Sequence, residues 1–173
     1  SELIKQALTD LSDVATAYYE CRQTSEADNL ESLSVLVAEA LSFPPLAFTG
    51  IRELIEFLFA QAKDKNITLV LDEYPYLRDA VKGLDSILQT SIDAHREDSR
   101  LNIVLCGSYV EIMKSLIEHE SPLYGRIDLA LELKPMDYFD AAKFYPAFSP
   151  EDKVRLYSVF GGIPFYNRLI DQS

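Results

Sequence analysis

The sequence predicts an α/β domain in which helices cover a parallel β-sheet. Two short segments, Ile67–Leu71 and Leu101–Cys106, are almost continuously apolar, as strands covered on both faces must be. Apolar residues at helical spacing fill the longer stretches between such segments. Strands that alternate with helices of about ten or more residues form βαβ units with right-handed crossovers. We therefore expect the strands of this sheet to be parallel.

The same two periodicities place the remaining elements of this domain. A strand is expected at Ala15–Cys21, and a weaker, alternating segment at Ile127–Leu133 is expected to form the last strand. Helices are expected along five apolar stripes: Leu3–Leu11, Leu30–Leu41, Ile51–Leu58, Leu84–Ile92 and Tyr109–Ile117. Residues 1–134 are thus predicted to form one α/β domain.

A second region begins after Lys134-Pro135, where aromatic residues become frequent. Ser149-Pro150 has the pattern of a helix N-cap followed by Pro at the first helical position. This helix is expected to end at Gly161-Gly162, and a new helix is expected after the break at Pro164. Residues 135–173 are therefore predicted to be the start of a separate helical region.

The balance of charges limits the partners of the protein. The chain of 173 residues carries 28 acidic and 16 basic side chains, a net charge of -12. A field of this sign repels nucleic-acid phosphates and anionic lipids, so no direct nucleic-acid contact and no membrane association are expected. No apolar run approaches the roughly 20 residues that span a bilayer, and no signal-peptide pattern is present, so we predict a cytoplasmic location. Cys21 and Cys106 lack partners at metal-binding spacing and are expected to be buried thiols.

Two adjacent acids, Asp72 and Glu73, directly follow the apolar strand Ile67–Leu71. In an open parallel sheet, ligands bind beyond the carboxyl ends of the strands, so both carboxylates are expected at the functional edge. One could hold Mg²⁺ through an oxygen or a bound water, while the other orients and deprotonates a water that attacks a phosphoryl group. The alternative is a strand that simply ends in solvent.

A hydroxyl and an arginine extend this candidate site. Ser108 follows Leu101–Cys106 and, if the two strands are neighbours, lies beside Asp72, where a polar side chain can touch a γ-phosphate or an attacking water. Ser108 with Glu111 also has the capping-box pattern of a helix N-terminus, and both roles can coexist. Arg126 could stabilise transition-state charge on a phosphate in a neighbouring subunit, or pair with one of the many surface acids.

Short motifs occur along nearly the whole chain. They are Leu69–Leu77, Leu105–Tyr109, Pro122–Arg126, Leu133–Met136 and Phe160–Pro164. Together they resemble the motifs of the archaeal ATPase family, which belongs to the AAA+ superfamily of P-loop NTPases. The Gly-Gly-Ile-Pro element in the last motif is the most specific part of this resemblance.

The resemblance implies a three-layer, P-loop NTPase-like parallel sheet and a protein that uses ATP and Mg²⁺. It implies that Asp72 is the Mg²⁺ ligand and Glu73 the base that activates the water, which together form a Walker B motif. It also implies that Ser108 is sensor 1, the polar residue that contacts the γ-phosphate or the attacking water, and that Arg126 is a candidate arginine finger. A helical lid is implied from near Met136 onward.

The sequence departs from the family because it contains no G-x-x-x-x-G-K-S/T phosphate-binding loop. The resemblance implies that this loop and its strand precede Ser1, and that Ser1 supplies a hydroxyl to the nucleotide and to Mg²⁺. The alternative origin of Ser1 is a residue left by a purification tag. The chain is thus expected to be a fragment whose sheet lacks its first strand, the central one, between Leu101–Cys106 and Ile127–Leu133. We expect such a fragment to bind ATP weakly, to be inactive alone, and to be a truncated chain, a swapped oligomer or a rearranged sheet.

Two other classes of protein share part of this pattern. A receiver domain of two-component signalling would use Asp72 as phospho-acceptor, Ser108 as switch hydroxyl and Lys134-Pro135 after its last strand. Receivers also need an acidic pair at the end of the first strand, whereas Ala15–Cys21 is followed by Arg22-Gln23. A degenerate, non-hydrolysing interaction module would instead dock a partner through exposed aromatic residues. The candidates are Tyr138, Phe139, Phe144, Tyr145 and Phe148.

Overall fold

The computed structural model describes residues 2–9 and 13–170, which include a parallel three-stranded sheet. The strands are β1 (Ala15–Glu20), β2 (Ile67–Asp72) and β3 (Leu101–Leu105). Their order is β1-β2-β3, so β2 is central, and Glu20 of β1 pairs with Asp72 of β2. The carboxyl ends of all three strands therefore lie at the same edge, and the predicted α/β class with parallel strands is confirmed.

The chain divides into two compact units, residues 1–128 and residues 129–173. The helices of the first unit are α1 (Glu2–Thr9), α2 (Glu26–Leu41), α3 (Ile51–Gln61), α4 (Tyr74–Ala80), α5 (Leu84–His95) and α6 (Val110–Ser115). All of them except α4 coincide with apolar stripes in the sequence, although Leu11 of the first stripe lies outside the described residues. The domain boundary expected after residue 134 stays a prediction.

The main core lies on one face of the sheet, against which α2, α3, α4 and α5 pack. Alternate residues of β2 enter it: Ile67, Leu69 and Leu71 are each at most 1% exposed. Leu33 of α2 and Leu58 of α3 are completely buried in the same cluster. Burial of one such side chain contributes about 1.5–3 kcal/mol, so this face strongly stabilises the position of the strands.

The opposite face of the sheet carries the alternate positions Tyr18, Val70 and Asp72. Val70 is completely buried and Asp72 is 4% exposed. Helix α1 lies near this face, because the Lys5 ammonium is 5.0 Å from the centroid of the Tyr18 ring. A cation at this distance from an aromatic face is attracted to it, and the contact connects α1 to β1.

The strand predicted at Ile127–Leu133 is wrong. This segment forms no strand within the described residues, and Leu129, Leu131 and Leu133 are 79%, 69% and 66% exposed. Alternation of apolar residues favours a strand, but a strand also needs a neighbour that supplies backbone hydrogen bonds. In the described residues the sheet ends at β3. It is thus a three-stranded open sheet rather than a sheet with a gap between two of its strands.

The second unit is helical. Its elements are α7 (Tyr138–Ala141), a 3-10 turn (Ala142–Phe144), α8 (Pro150–Phe160) and α9 (Pro164–Arg168). The predicted N-cap is confirmed, because the Asp152 amide donates to the Ser149 hydroxyl at 3.2 Å. No helix within residues 2–9 and 13–170 is long and apolar enough to cross a membrane.

The Gly-Gly-Ile-Pro element has a specific structural reason for each glycine. Gly161 ends α8 with φ 60° and ψ −157°, a conformation that is essentially restricted to glycine. Gly162 is buried against the backbone of Met136, whose amide donates to the Gly162 carbonyl at 2.8 Å. A Cβ atom at Gly162 would lie 1.8 Å from the carbonyl oxygen of Met136. The element thus holds the start of the second unit against the end of α8.

A buried asparagine fixes the loop that follows β1. Asn29 is completely buried, and its Oδ1 accepts hydrogen bonds from Tyr19 Oη at 2.6 Å and from the Arg22 amide at 3.0 Å. Its Nδ2 donates to the carbonyl groups of Arg22 and Ser25 at 3.1 Å and 3.0 Å. Asn29 therefore connects the carboxyl end of β1 to the first turn of α2.

We expect Asn29→Ala to lower the free energy of unfolding by about 2–4 kcal/mol, because the Tyr19 hydroxyl and the Arg22 amide lose a buried acceptor. Urea unfolding should show a lower midpoint with an unchanged slope. The control is Asn102→Ala at an exposed residue of β3, which should change the stability by less than about 0.5 kcal/mol. Equal losses in the two variants would contradict the role given to Asn29.

Candidate active site

The buried carboxylate of Asp72 ends β2 and accepts hydrogen bonds from β1 and from the residue that follows β3. Its Oδ1 accepts from the Glu73 amide and from Cys106 Sγ, each at 3.1 Å. Its Oδ2 accepts from the hydroxyl of Tyr18 on β1. Asp72 is only 4% exposed, so these donors replace the water that a carboxylate would otherwise bind. The carboxylate is thus held in one orientation at the carboxyl edge of the sheet.

The two cysteines lie on either side of Asp72 along this edge, and both are free thiols. Burial, reinforced by the negative charge of Asp72, raises the pKa of Cys21 to about 12. Burial and the hydrogen bond to Asp72 raise the pKa of Cys106 to about 12. Both thiols therefore stay protonated at neutral pH, and Cys106 acts as a donor to Asp72. The expectation of buried thiols is confirmed for Cys21, while Cys106 is half-buried.

Glu73 turns the chain from β2 into α4. Its backbone is left-handed, with φ 52° and ψ 43°, which is uncommon for a residue with a side chain. Its Oε2 accepts hydrogen bonds from the Ser108 amide at 3.3 Å and from the Ser108 hydroxyl at 3.1 Å. The amide of the next residue, Tyr74, donates to the Cys106 carbonyl at 2.9 Å. These contacts bring Asp72, Glu73 and Ser108 together at the ends of β2 and β3.

The capping-box prediction for Ser108 and Glu111 is wrong. Helix α6 begins at Val110, and its N-cap is Tyr109, without a side-chain cap hydrogen bond. The Ser108 hydroxyl donates to Glu73 instead. A capping box requires Ser108 to be the N-cap residue, and the helix begins one residue too late for that.

A glycine permits the close approach of the two strand ends. A Cβ atom at Gly107 would lie 2.7 Å from Cδ of Pro75, in the first turn of α4. Such a distance is too short for carbon atoms, so a larger residue would push α4 away from the loop that carries Ser108. Gly107 therefore helps to keep Glu73 within hydrogen-bonding distance of Ser108.

A buried network anchors the helix that follows Glu73. Tyr74 is completely buried and donates its hydroxyl to Asp85 Oδ1 at 2.5 Å. Arg78 contributes an ion pair to Asp85 Oδ2 at 2.8 Å. Burial and the hydrogen bond to Asp85 raise the pKa of Tyr74. This network fixes α4 to α5 and was missed by sequence reasoning; its only sequence signal is an aspartate, Asp85, inside an apolar stripe.

The structure does not bring Arg126 to the other predicted site residues. Its guanidinium makes a two-point contact with Asp93 of α5, with Nε to Oδ1 at 2.8 Å and Nη2 to Oδ2 at 2.7 Å. Its Nη1 donates to the carbonyl groups of Pro122 and Tyr124 at 3.2 Å and 3.0 Å. The hydrogen bonds from Arg126, reinforced by its positive charge, lower the pKa of Asp93. Ser1, the remaining predicted site residue, lies outside the described residues.

The donor set at this edge fits Mg²⁺ better than a softer metal. Asp72 and Glu73 offer carboxylate oxygens, the ligands that Mg²⁺ prefers, and Mg²⁺ is often held by one or two carboxylates together with substrate phosphates. The one sulfur in contact with this set, Cys106 Sγ, donates to Asp72 Oδ1 at 3.1 Å, and softer metals prefer several thiolate or imidazole ligands. Within the described residues, no group of three or more His, Cys, Asp and Glu side chains is arranged to hold a metal by itself.

The open parallel sheet, with an acidic pair and a hydroxyl following neighbouring strands, is consistent with a P-loop NTPase-like α/β domain. The sequence model of a family described as an ATPase domain predominantly from Archaea matches residues 1–168. The chain belongs to this family. Membership does not favour the receiver domain or the non-hydrolysing interaction module.

Two relatives are uncharacterised proteins of Methanocaldococcus jannaschii. One is 31% identical over 112 residues, which are 64% of this chain and 25% of that protein. The other is 32% identical over 59 residues, which are 34% of this chain and 57% of that protein. The chain therefore spans between 25% and 57% of the length of these two relatives.

A solved structure, the Walker-type ATPase of Pyrococcus abyssi, is similar to this chain with a TM-score of 0.65 and 20% sequence identity. The match covers 94% of this chain and 55% of the other. At this level of identity the similarity establishes the fold.

Proposed function

We propose that the protein is a Mg²⁺-dependent, AAA+-like ATPase that binds ATP and hydrolyses it to drive a conformational change. The observation that carries the proposal is the contact of Glu73 with Ser108 beside the buried carboxylate of Asp72. A base, a hydroxyl and a metal-binding carboxylate on adjacent strand ends are the groups that phosphoryl transfer to water requires. The family and the fold support the same reaction class.

Asp72 would hold Mg²⁺, and Glu73 would act as the base. When bound, Mg²⁺ would neutralise negative charge on the phosphates of ATP. Glu73 would orient the attacking water and take a proton from it at the carboxylate. Both hydrogen bonds from Ser108 end on Oε2, so Oε1, which accepts no hydrogen bond from the described residues, is the oxygen that would take the proton.

Ser108 would have two functions in this site. Its amide and hydroxyl orient the carboxylate of Glu73, and its hydroxyl could also rotate toward the γ-phosphate, as the sensor 1 assignment requires. Ser108 is exposed, so rotation of its hydroxyl meets little steric resistance.

Arg126 and Ser1 would complete the site only under further conditions. Arg126 would stabilise charge on the transferring phosphoryl group after it leaves Asp93, and action on a neighbouring subunit would make the protein a homo-oligomer. Ser1 would contact the nucleotide and Mg²⁺ together with the phosphate-binding loop that the family resemblance implies.

We expect the full-length protein to release phosphate from ATP when Mg²⁺ is present and to lose this activity when EDTA removes the metal. The physical reason is that the phosphate charges are not neutralised without the cation. A coupled assay for phosphate measures the rate, which should return when Mg²⁺ is added back. Hydrolysis that is insensitive to EDTA would contradict the metal assignment. Binding of Mg·ATP without any hydrolysis would favour the non-hydrolysing module instead.

A further inference from the structure

Tyr18 is the residue of β1 that contacts the candidate metal-binding carboxylate. Its hydroxyl donates to Oδ2 of Asp72, although the two residues are 54 positions apart in sequence. Oδ1 of the same carboxylate accepts from the Glu73 amide and the Cys106 thiol. Each oxygen of Asp72 therefore has at least one donor from the protein, and Tyr18, a donor to Oδ2, lies on a strand that carries none of the other predicted site residues.

The ring of Tyr18 is itself held in place. Tyr18 pairs with Val70 in the register of β1 and β2, so its Cα is fixed relative to the strand that carries Asp72. The Lys5 ammonium of α1 lies 5.0 Å from the centre of the Tyr18 ring, and the attraction between this cation and the ring also restrains the ring. A donor that is positioned by both a strand and a helix can determine the orientation of the carboxylate that it contacts.

We propose that Tyr18 is a positioning residue for the divalent cation, because its hydroxyl sets the orientation in which Asp72 presents its carboxylate. This inference rests on the proposed function, in which Asp72 holds Mg²⁺. A hydrogen bond to a metal-binding carboxylate restricts its rotation, and removal of such a bond typically lowers metal affinity about 10–100-fold. Tyr18 does not take part in the chemistry of the reacting atoms.

The test is Tyr18→Phe, which keeps the ring under Lys5 and removes only the hydroxyl. The probe is Mn²⁺, added to the full-length protein together with a non-hydrolysable ATP analogue, and bound Mn²⁺ is measured by electron paramagnetic resonance. We expect Mn²⁺ to bind about 10-fold more weakly to the variant than to the unaltered protein. Binding of the analogue in the presence of EDTA should be unchanged, because that binding does not involve the metal.

The adjacent residue offers a matched control. Tyr19 lies on the same strand but points to the other face, where its hydroxyl donates to Asn29 at 2.6 Å. Tyr19→Phe removes an identical group and should destabilise the fold while leaving Mn²⁺ affinity unchanged. If loss of either hydroxyl acted by destabilising β1 as a whole, Mn²⁺ affinity would fall in both Tyr18→Phe and Tyr19→Phe. That result would overturn the specific role of Tyr18.

Asp72→Asn separates failure of this inference from failure of the proposed function. Loss of Mn²⁺ binding in Asp72→Asn, with unchanged affinity in Tyr18→Phe, would overturn the role of Tyr18 alone. Retention of Mn²⁺ binding in Asp72→Asn would overturn the assignment of the metal ligand, and the role of Tyr18 with it. Failure of the unaltered protein to bind Mn²⁺ would overturn both proposals.

Discussion

Replacement of Glu73 by Gln should reduce the rate of ATP hydrolysis by about 10²–10⁴-fold, the usual contribution of a positioned general base. Gln has nearly the same shape as Glu and keeps an oxygen that can accept from the Ser108 amide and hydroxyl. It cannot take a proton from water at neutral pH. The fold and the nucleotide affinity should therefore survive. Phosphate release under single-turnover conditions, with nucleotide binding measured in parallel, checks both parts of this prediction.

The control for this experiment is Glu111→Gln, which removes one negative charge close to the same loop. Glu111 is exposed in the first turn of α6, and Ser108 does not use it as a capping partner. The control should retain nearly the full rate of hydrolysis. Comparable loss of activity in both variants would mean that net charge near the site, not proton transfer to Glu73, determines the rate. Full activity in Glu73→Gln would show that the base is another group.

Gly162→Ala should unfold the unit formed by residues 129–173. The added Cβ would lie 1.8 Å from the Met136 carbonyl oxygen, and it would be 2.6 Å from the Met136 nitrogen that donates to the Gly162 carbonyl. Because the obstacle is backbone, relief requires separation of the two segments and loss of their hydrogen bond. We expect a loss of about 4 kcal/mol or more, which a unit of this size can hardly tolerate.

Amide hydrogen exchange can measure the unfolding of residues 129–173 separately from the rest of the chain. Amides of the second unit, including Met136 and Gly161, should exchange rapidly in Gly162→Ala, while amides of β2 stay protected. Gly125→Ala is the matched control in the first unit, because Gly125 has φ 71° and an added methyl group there would meet no atom within 4 Å. Its cost should be about 1–2 kcal/mol of backbone strain. Retained protection of Met136 in Gly162→Ala would contradict the role of this contact.

Local patterns in the sequence predict much of this fold, because strands and helices have distinct periodicities. The apolar segments at Ile67 and Leu101 are β2 and β3, and their order along the chain implies parallel pairing. The proximity of Glu73 to Ser108 follows from the same topology, since parallel strands end at one edge of the sheet. The strand positions, the parallel pairing and the shared edge depend only on backbone geometry, which is common to sequences with alternating strands and helices.

Contacts between distant side chains could not be predicted in the same way. The alternating segment Ile127–Leu133 has strand periodicity but no pairing neighbour within the described residues, and periodicity does not report on neighbours. Arg126 contacts Asp93 rather than the other predicted site residues, although many acids of the chain could have been its partner. Tyr18 of β1 contacts Asp72 of the neighbouring strand β2, and this contact depends on register and rotamer. The local sequence around Arg126 or Tyr18 does not indicate which distant side chain each of them contacts.

The left-handed backbone of Glu73 has a consequence for attempts to make this protein more stable. At φ 52°, glycine avoids a steric cost of about 1–2 kcal/mol that glutamate incurs. Selection of variants by folding alone would therefore favour glycine at this position, and the enriched proteins would lack the carboxylate proposed to activate water. Directed evolution for heat resistance and directed evolution for turnover should thus diverge at residue 73, a stability–activity trade-off located in a single dihedral angle.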